Sequence, residues 1–126
     1  MKESLLILTN MMDNLGGWIP DSQFLLQNNT IPVMAHGLGK PVQDASTSIE
    51  IEESGNYKLW VRTRDWTKYW SRKGSAGLFE VLIDGQAVPV VFGNESSEWH
   101  WQYGGEVAIE KGTHIVSLHD ITGFDG

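Results

Sequence analysis

Residues 57–70 read YKLWVRTRDWTKYW, a strand pattern that continues into an aromatic, basic segment. Successive side chains of a β-strand point to opposite faces, so the stretch predicts two rows. The first row is apolar enough for a core and consists of Tyr57, Leu59, Val61 and Thr63. A solvated strand face normally carries small polar or charged groups. The second row instead sets a tryptophan among basic residues: Lys58, Trp60, Arg62 and Arg64.

The positive charge of the chain is concentrated in and just after this stretch. Six of its nine Lys and Arg lie between positions 58 and 73. The whole chain carries a formal net charge of -7, and such a field repels polyanions. We therefore expect neither nucleic acid nor a membrane as a partner, although aromatic and basic residues together are also typical of single-stranded nucleic-acid sites. The apolar run at residues 5–8 is too short for a membrane span or a signal sequence.

Length and composition predict one domain over residues 1–126. With 126 residues and 40% apolar content, the chain is long enough to bury a core without disulfides or metal. It contains no cysteine, which excludes a disulfide framework, a thiolate zinc site and a cysteine nucleophile.

Alternating apolar and polar residues predict antiparallel strands over most of the chain after residue 47. Asp84-Gly85 is the dipeptide expected at a two-residue turn, so we expect a hairpin between residues 79–83 and 87–92. Pro89 places the second of these strands at a sheet edge or a bulge. A second hairpin is predicted from residues 107–109 to residues 116–118, with a glycine-containing turn at 110–112.

The first third of the chain has a less regular hydrophobic pattern. Residues 5–9 and 31–35 are interpreted as short strands, with turn-rich sequence between them around residues 13–21. About eight or nine short strands with no crossover helix predict an all-β fold, an antiparallel β-sandwich of the jelly-roll type. Its predicted core comprises Ile49, Ile51, Tyr57, Leu59, Val61, Phe79, Val81, Ile83, Val107, Ile109, Val116 and Leu118.

No pattern typical of catalysis is present. The four histidines lie in different segments, which disfavours a zinc site among them. The sequence contains no Gly-x-Ser-x-Gly, His-Glu-x-x-His or Gly-x-Gly-x-x-Gly motif. Its acidic residues fall on predicted strand faces and turns, where carboxylates are usually solvated rather than paired for glycosidase chemistry. We therefore expect no enzymatic activity from this chain.

The tryptophans carry the positive signal for function. The chain has six of them, and most fall in two groups, one at residues 60–70 and one at residues 99–101. An exposed indole offers a flat surface to the C–H face of a sugar ring, while neighbouring polar side chains supply directional hydrogen bonds. The alternative is that these rings cap the ends of the sandwich core. The predicted ligand-binding residues are Trp60, Arg62, Arg64, Asp65, Trp66, Trp70, Arg72, Trp99, His100 and Trp101.

Several segments together resemble a known kind of accessory domain. It occurs in bacterial polypeptides with an FAD-dependent oxidoreductase domain, often labelled xanthan lyase-like, and is similar to the galactose-binding-like sandwiches of carbohydrate-binding modules. The resemblance implies a non-catalytic module for acidic or complex polysaccharide beside a flavoenzyme domain, in a periplasmic or secreted bacterial protein. The segments that carry it are residues 13–18, 35–42, 59–66, 98–101 and 119–126.

The chain departs from this family in two respects. Related modules often carry glutamates in the first strand that help to bind a structural calcium ion, whereas Leu8 and Asn10 stand at the matching positions. A structural calcium site in this chain would therefore lack those carboxylates. We expect no cofactor in this chain, because it contains no nucleotide-binding turn. The family pattern also continues with one more strand beyond residue 126, so the chain resembles a domain excised from a larger polypeptide.

Two functions are left open by the sequence. In the first, the aromatic and basic residues bind an oligosaccharide or polysaccharide, an acidic one in view of the arginines. In the second, the same residues contact the neighbouring flavoenzyme domain, because Trp and Arg are also enriched at protein interfaces. A dinucleotide-binding motif in an adjoining segment of the same polypeptide would establish the flavoenzyme context.

Overall fold

A computed structural model describes residues 5–20, 33–35, 37, 40–64, 78–93 and 99–122. These residues form one short 3-10 turn, Thr9–Met11, and eight strands. The strands are β1 (Trp18–Pro20), β2 (Val33–Ala35), β3 (Ala45–Ile51), β4 (Gly55–Thr63), β5 (Phe79–Ile83), β6 (Gln86–Phe92), β7 (His100–Ile109) and β8 (Gly112–Asp120).

The strands form an antiparallel β-sandwich, which confirms the predicted fold class. The larger sheet has the order β3-β8-β5-β6, and β4 and β7 make a second sheet. Leu59 and Val61 of β4 and Val107 of β7 pack against the core cluster formed mainly by the larger sheet. A third pair, β1 and β2, adds Trp18 and Ala35 to that cluster. Each pairing between strands is antiparallel in the part of the chain that the structure describes.

A bent ribbon connects the two main sheets. Its first half pairs β3 with β8 and ends at Ile51 opposite Gly112. Its second half pairs β4 with β7 and starts at Gly55 opposite Ile109. Both strands of the ribbon therefore turn the same corner and change sheets together, as strands do at the corners of sandwiches. The backbone N–H of Lys111 donates to the Ser54 hydroxyl across the corner, at 2.6 Å.

The prediction of a second hairpin at residues 107–118 is wrong because of this corner. β7 pairs with β4, whereas β8 pairs with β3 and β5. An alternating pattern reports which face of a strand is buried and does not identify its partner strand. The glycine-containing turn thus carries the chain from one sheet to the other.

The first predicted hairpin is confirmed. Asp84 and Gly85 have φ values of 52° and 83°, the left-handed conformations that a two-residue type I′ turn requires. β6 is one of the two edge strands of the larger sheet among the described residues, and its pairing with β5 shifts register between Glu80 and Leu82. Pro89 lies in the irregular part of β6 and cannot donate to a ladder, which agrees with the predicted edge or bulge position.

The N-terminal segment differs from its prediction. Residues 5–8 form no strand, and the chain goes directly into the 3-10 turn. Leu5 and Leu6 are 49% and 71% exposed, so an apolar run here does not mark a buried strand. The turn-rich region instead supplies β1, which pairs with β2; of the predicted strand at 31–35, residues 33–35 lie within the described part of the chain.

The observed core matches most of the predicted one. Ile51 and Ile109 are buried beside the corner, and the other predicted residues except Tyr57 belong to the core cluster or pack against it. Tyr57 is only half-buried, because its hydroxyl reaches the Glu53 carbonyl at the corner instead of the core. Residues of the cluster that the sequence did not single out are Met12, Trp18, Ala35, Ala45, Val88 and Phe92.

A buried glutamine holds the two sheets together at one end. The Gln102 side chain of β7 is 3% exposed. Its amide nitrogen donates to the Val91 carbonyl of β6 at 3.0 Å, and its oxygen accepts from the Gly93 N–H at 3.4 Å. These contacts satisfy backbone groups of an edge strand that has no ladder partner on that side in the described residues.

Candidate functional site

The outer face of the β4–β7 sheet carries a ladder of large side chains. Residues directly opposite each other in an antiparallel pair project to the same face and contact one another. Given the rise per residue of a β-strand, positions 60 and 64 lie about 13 Å apart along this face. We call this surface the ladder face; its cross-strand pairs are Lys58 with Glu106, Trp60 with Tyr103 and Arg62 with Trp101, and it extends to Arg64 and Trp99.

Three aromatic rings on the ladder face are open to solvent. Trp60 is 51%, Trp101 52% and Tyr103 41% exposed. The rings of Trp60 and Tyr103 are 4.7 Å apart between centroids and inclined at 44°, so they form one angled platform. A buried role in the core is therefore excluded for these rings, and their flat surfaces are accessible to a ligand or partner.

Two arginines border the rings at one end of the ladder face. The guanidinium carbon of Arg64 lies 5.9 Å from the centre of the Trp99 ring, a cation–π contact. The Nε atoms of Arg62 and Arg64 are buried, so both guanidinium groups lie close to the sheet. At the other end Lys58 faces the acidic Glu106. The positive charge of the ladder face is thus concentrated at the Arg62 and Arg64 end.

A bulge at two glycines turns the aromatic residues of β7 outward. The pairing of β4 with β7 shifts register between Lys58 and Trp60, opposite Gly104 and Gly105. Without the shift, Tyr103 and Val107 would have the same parity and project to the same face. With it, Tyr103 is exposed and Val107 packs against the core. Gly105 adopts a φ of +92°, a conformation that favours glycine.

Substituting the two bulge glycines tests this arrangement. A Cβ on Gly104 would lie 2.6 Å from the Phe92 Cζ atom, so Gly104→Ala should cost roughly 1–3 kcal/mol through overpacking. A Cβ on Gly105 would meet no atom within 4 Å, so the cost of Gly105→Ala, about 1–2 kcal/mol, comes from its backbone conformation. Urea unfolding measures both losses.

Gly55→Ala is the matched control for the glycine variants. Gly55 lies in the same sheet, and a Cβ there would also meet nothing within 4 Å, without a positive φ. We expect this variant to be as stable as the wild type or slightly more stable. Equal stability of all three variants would contradict the proposed role of the bulge.

The structure brings together half of the ten predicted ligand-binding residues. Trp60, Arg62 and Arg64 form one row of the ladder face, and Trp99 and Trp101 form the facing row. His100 pairs with Thr63, lies in the opposite, inward-facing row and is half-buried. The remaining four lie outside the described residues: Asp65, Trp66, Trp70 and Arg72.

Tyr103 belongs to the ladder face but was not among the predicted residues. Its position two residues after Trp101 gives it the same parity as Trp99 and Trp101 in an extended segment. That spacing is the signal by which the sequence could have identified it. Its ring contacts Trp60, so Tyr103 is part of the aromatic platform.

The described residues offer no metal site. Within them, no three His, Asp or Glu side chains come together in a group that could hold a metal ion. Leu8, at a position where related modules often have a glutamate, is partly exposed and provides no oxygen ligand from its side chain. The prediction that the chain carries no cofactor stays a prediction. No helix in the described ranges is long and apolar enough to cross a membrane.

Comparison with known proteins identifies a structural neighbour. A solved structure of a family 35 carbohydrate binding module from an environmental isolate is similar in fold, with a TM-score of 0.56 and 14% sequence identity. The match covers 91% of this chain and 83% of that chain. No family model matches the sequence, and no curated protein matches it. The sandwich fold implied by the sequence resemblance is thus confirmed, whereas the link to flavin-dependent oxidoreductases stays a prediction.

Proposed function

We propose that this chain is a non-catalytic carbohydrate-binding module whose ligand lies on the ladder face. The observation that carries the proposal is the exposed aromatic platform of Trp60 and Tyr103, which Trp101 continues along the ladder face. Exposed rings at strand spacing can stack on successive sugars of one chain, and the fold of the solved carbohydrate binding module supports the same role.

The two arginines favour an acidic polysaccharide. A guanidinium group presents several N–H donors in one plane and can bind a carboxylate through two parallel hydrogen bonds. Arg62 and Arg64 lie beside stacking rings, so a uronate residue held there could use both kinds of contact. The overall charge of -7 opposes a polyanion at long range. We therefore expect local recognition of carboxylated sugars rather than general affinity for polyanions.

A second candidate is an interface with a neighbouring flavoenzyme domain. Exposed Trp, Tyr and Arg side chains on one face are typical of the centres of protein interfaces. The ladder face has this composition. The two functions differ in what the isolated chain binds, because only a glycan module binds an oligosaccharide by itself.

Calorimetry with a uronate-containing and a neutral oligosaccharide of equal length tests the proposal. We expect both to bind the wild-type chain and the uronate ligand to weaken as ionic strength rises, because salt screens exposed charges. Trp60→Ala should remove about 0.5–1.5 kcal/mol of stacking, a loss of roughly two- to tenfold in affinity for either ligand. Arg62→Gln should weaken binding of the uronate ligand alone.

Two variants serve as controls for these measurements. Ile115→Ala removes an exposed apolar side chain from the larger sheet, away from the ladder face, and should leave binding unchanged. Arg62→Lys keeps the charge but loses the planar pair of donors, so it should bind the uronate ligand less well than the wild type. The interface function replaces the glycan function if neither sugar binds the wild-type chain and an adjoining flavoenzyme domain binds that chain instead.

A further inference from the structure

A cleft lies between the two main sheets, next to the ribbon corner. It has a volume of about 410 Å³ and is walled by the β5–β6 hairpin and by the last four residues of β7. Pro89 lies on one wall and Glu106 on the other, while Asp84 and His114 also line it. The cleft continues the gap between β6 and β7 that Gln102 closes further along the same strands.

His114 connects two separate elements beside this cleft. Its Nδ1 atom is 2.6 Å from a carboxylate oxygen of Asp84, in the β5–β6 turn. Its Nε2 atom is 2.6 Å from the carbonyl oxygen of Glu110, in the corner between β7 and β8. Both neighbours of the ring are hydrogen-bond acceptors. A neutral imidazole has one N–H, so only the protonated ring can donate to both at once.

Asp84 is held to β8 by two further hydrogen bonds. Its backbone N–H donates to the Ile115 carbonyl at 2.8 Å, and its second carboxylate oxygen accepts from the Ile115 N–H at 2.9 Å. The turn residue therefore offers one carboxylate oxygen to the β8 backbone and the other to His114. The hairpin tip is therefore joined to β8 both through the Ile115 backbone and through the His114 imidazole.

Charged groups around the imidazole are mainly acidic. The Asp84 carboxylate faces it from the hairpin turn, and the negative charge of Glu110 also acts on it from the corner. On β3, His114 is paired with the apolar Ile49, and the nearby Glu50 accepts a hydrogen bond from Thr113. Glu106 shares the cleft. Lys111 is the basic residue in the same corner.

These neighbours raise the pKa of His114 above its usual value, chiefly through the Asp84 hydrogen bond and then through the Glu110 carbonyl. The His114 hydrogen bond in turn lowers the pKa of Asp84. The contribution of His114 to stability is fully present below its unfolded-state pKa of about 6.5 and is lost as pH rises through the folded value. The contribution of Asp84 to stability is lost only as pH falls through the lowered pKa of its carboxyl group.

We infer that His114 is a pH-dependent latch between the β5–β6 turn and the β7–β8 corner, closed while the imidazole is protonated and open when it is neutral. Loss of the proton removes one of the two ring hydrogen bonds, since a single N–H cannot serve both acceptors. The ring then no longer joins the turn to the corner, and whenever its remaining N–H faces Glu110 the hairpin tip keeps only its two hydrogen bonds with the Ile115 backbone. The mouth of the cleft becomes wider and more accessible at alkaline pH.

NMR spectroscopy of the whole chain tests the latch. The titration of the His114 ring is followed together with the hydrogen-exchange protection of the Ile115 amide, whose N–H donates to Asp84. We expect His114 to titrate above the usual histidine range and the Ile115 protection factor to fall through the same transition. Titration of His114 at or below the usual value, or a protection factor that does not change through the transition, would overturn the inference.

Asp84→Asn is the informative variant, because Asn-Gly also favours the type I′ turn and the hairpin should be retained. In this variant the pKa of His114 should fall toward its usual value, and the pH dependence of the Ile115 protection should disappear. Asp44→Asn is the matched control, since Asp44 contacts His119 at 2.8 Å in the same way. It should leave the titration of His114 and the pH dependence of the Ile115 protection unaffected; an equal effect of both variants on His114 would contradict a local latch.

Discussion

Replacing Phe92 by Ala should lower the free energy of unfolding by about 3–5 kcal/mol, the range for large aromatic truncations in a core. Phe92 is completely buried at the end of β6. Its ring stacks on Phe79 with centroids 5.6 Å apart, and its far edge faces Gly104 across the sandwich. The cavity left by the truncation would therefore lie between the two sheets, where neither can close it alone.

Val91→Ala provides the control for Phe92→Ala. Val91 is the preceding residue on the same strand, projects to the opposite face and is 37% exposed. Its truncation should cost much less, because little apolar surface is lost from the interior. Urea unfolding followed by far-UV circular dichroism measures both variants. Equal losses for Val91→Ala and Phe92→Ala would contradict the assignment of Phe92 to the interior and Val91 to the surface of β6.

Trp18→Ala should cost a similar amount, about 3–5 kcal/mol. Trp18 is 4% exposed and packs edge-on against Phe79 with ring centroids 5.7 Å apart. Its indole N–H donates to the Leu118 carbonyl at 3.2 Å. The side chain thus attaches the β1–β2 pair to the larger sheet through both packing and a hydrogen bond.

Trp18→Phe separates these two contributions. The smaller ring keeps part of the packing against Phe79 but leaves the Leu118 carbonyl without this donor, so we expect a loss of roughly 1–3 kcal/mol. The same urea unfolding assay applies. A Trp18→Ala variant as stable as the wild type would contradict the attachment of β1 and β2 to the core.

The sequence predicted those features that depend on local patterns. The alternation in residues 59–63 correctly separated the core row from the row of Trp60 and Arg62. The Asp84-Gly85 turn was predictable because few other residues adopt φ > 0 at both positions. Pro89 was placed correctly at an edge because proline has no N–H to donate.

Features that depend on long-range pairing could not be predicted in the same way. The strands on both sides of the corner at residues 110–112 alternate as the strands of a hairpin do. Only the partner strands of β7 and β8 distinguish a corner between sheets from a hairpin turn. The Gly104-Gly105 bulge changes the parity of β7 in the middle of the strand, so a fixed period of two could not assign Tyr103 and Val107 to opposite faces. Trp18 was grouped with turn residues because β1 has only three residues.

The indole N–H signals of the tryptophans provide the most direct test of the central claim, that a carbohydrate lies on the ladder face. Each indole gives its own NMR signal, and Trp18 is an internal control because it is buried in the core. On addition of a uronate-containing oligosaccharide, we predict that the signals of Trp60, Trp99 and Trp101 shift and that the signal of Trp18 does not. Saturating binding that leaves the three ladder-face signals unchanged would contradict the account.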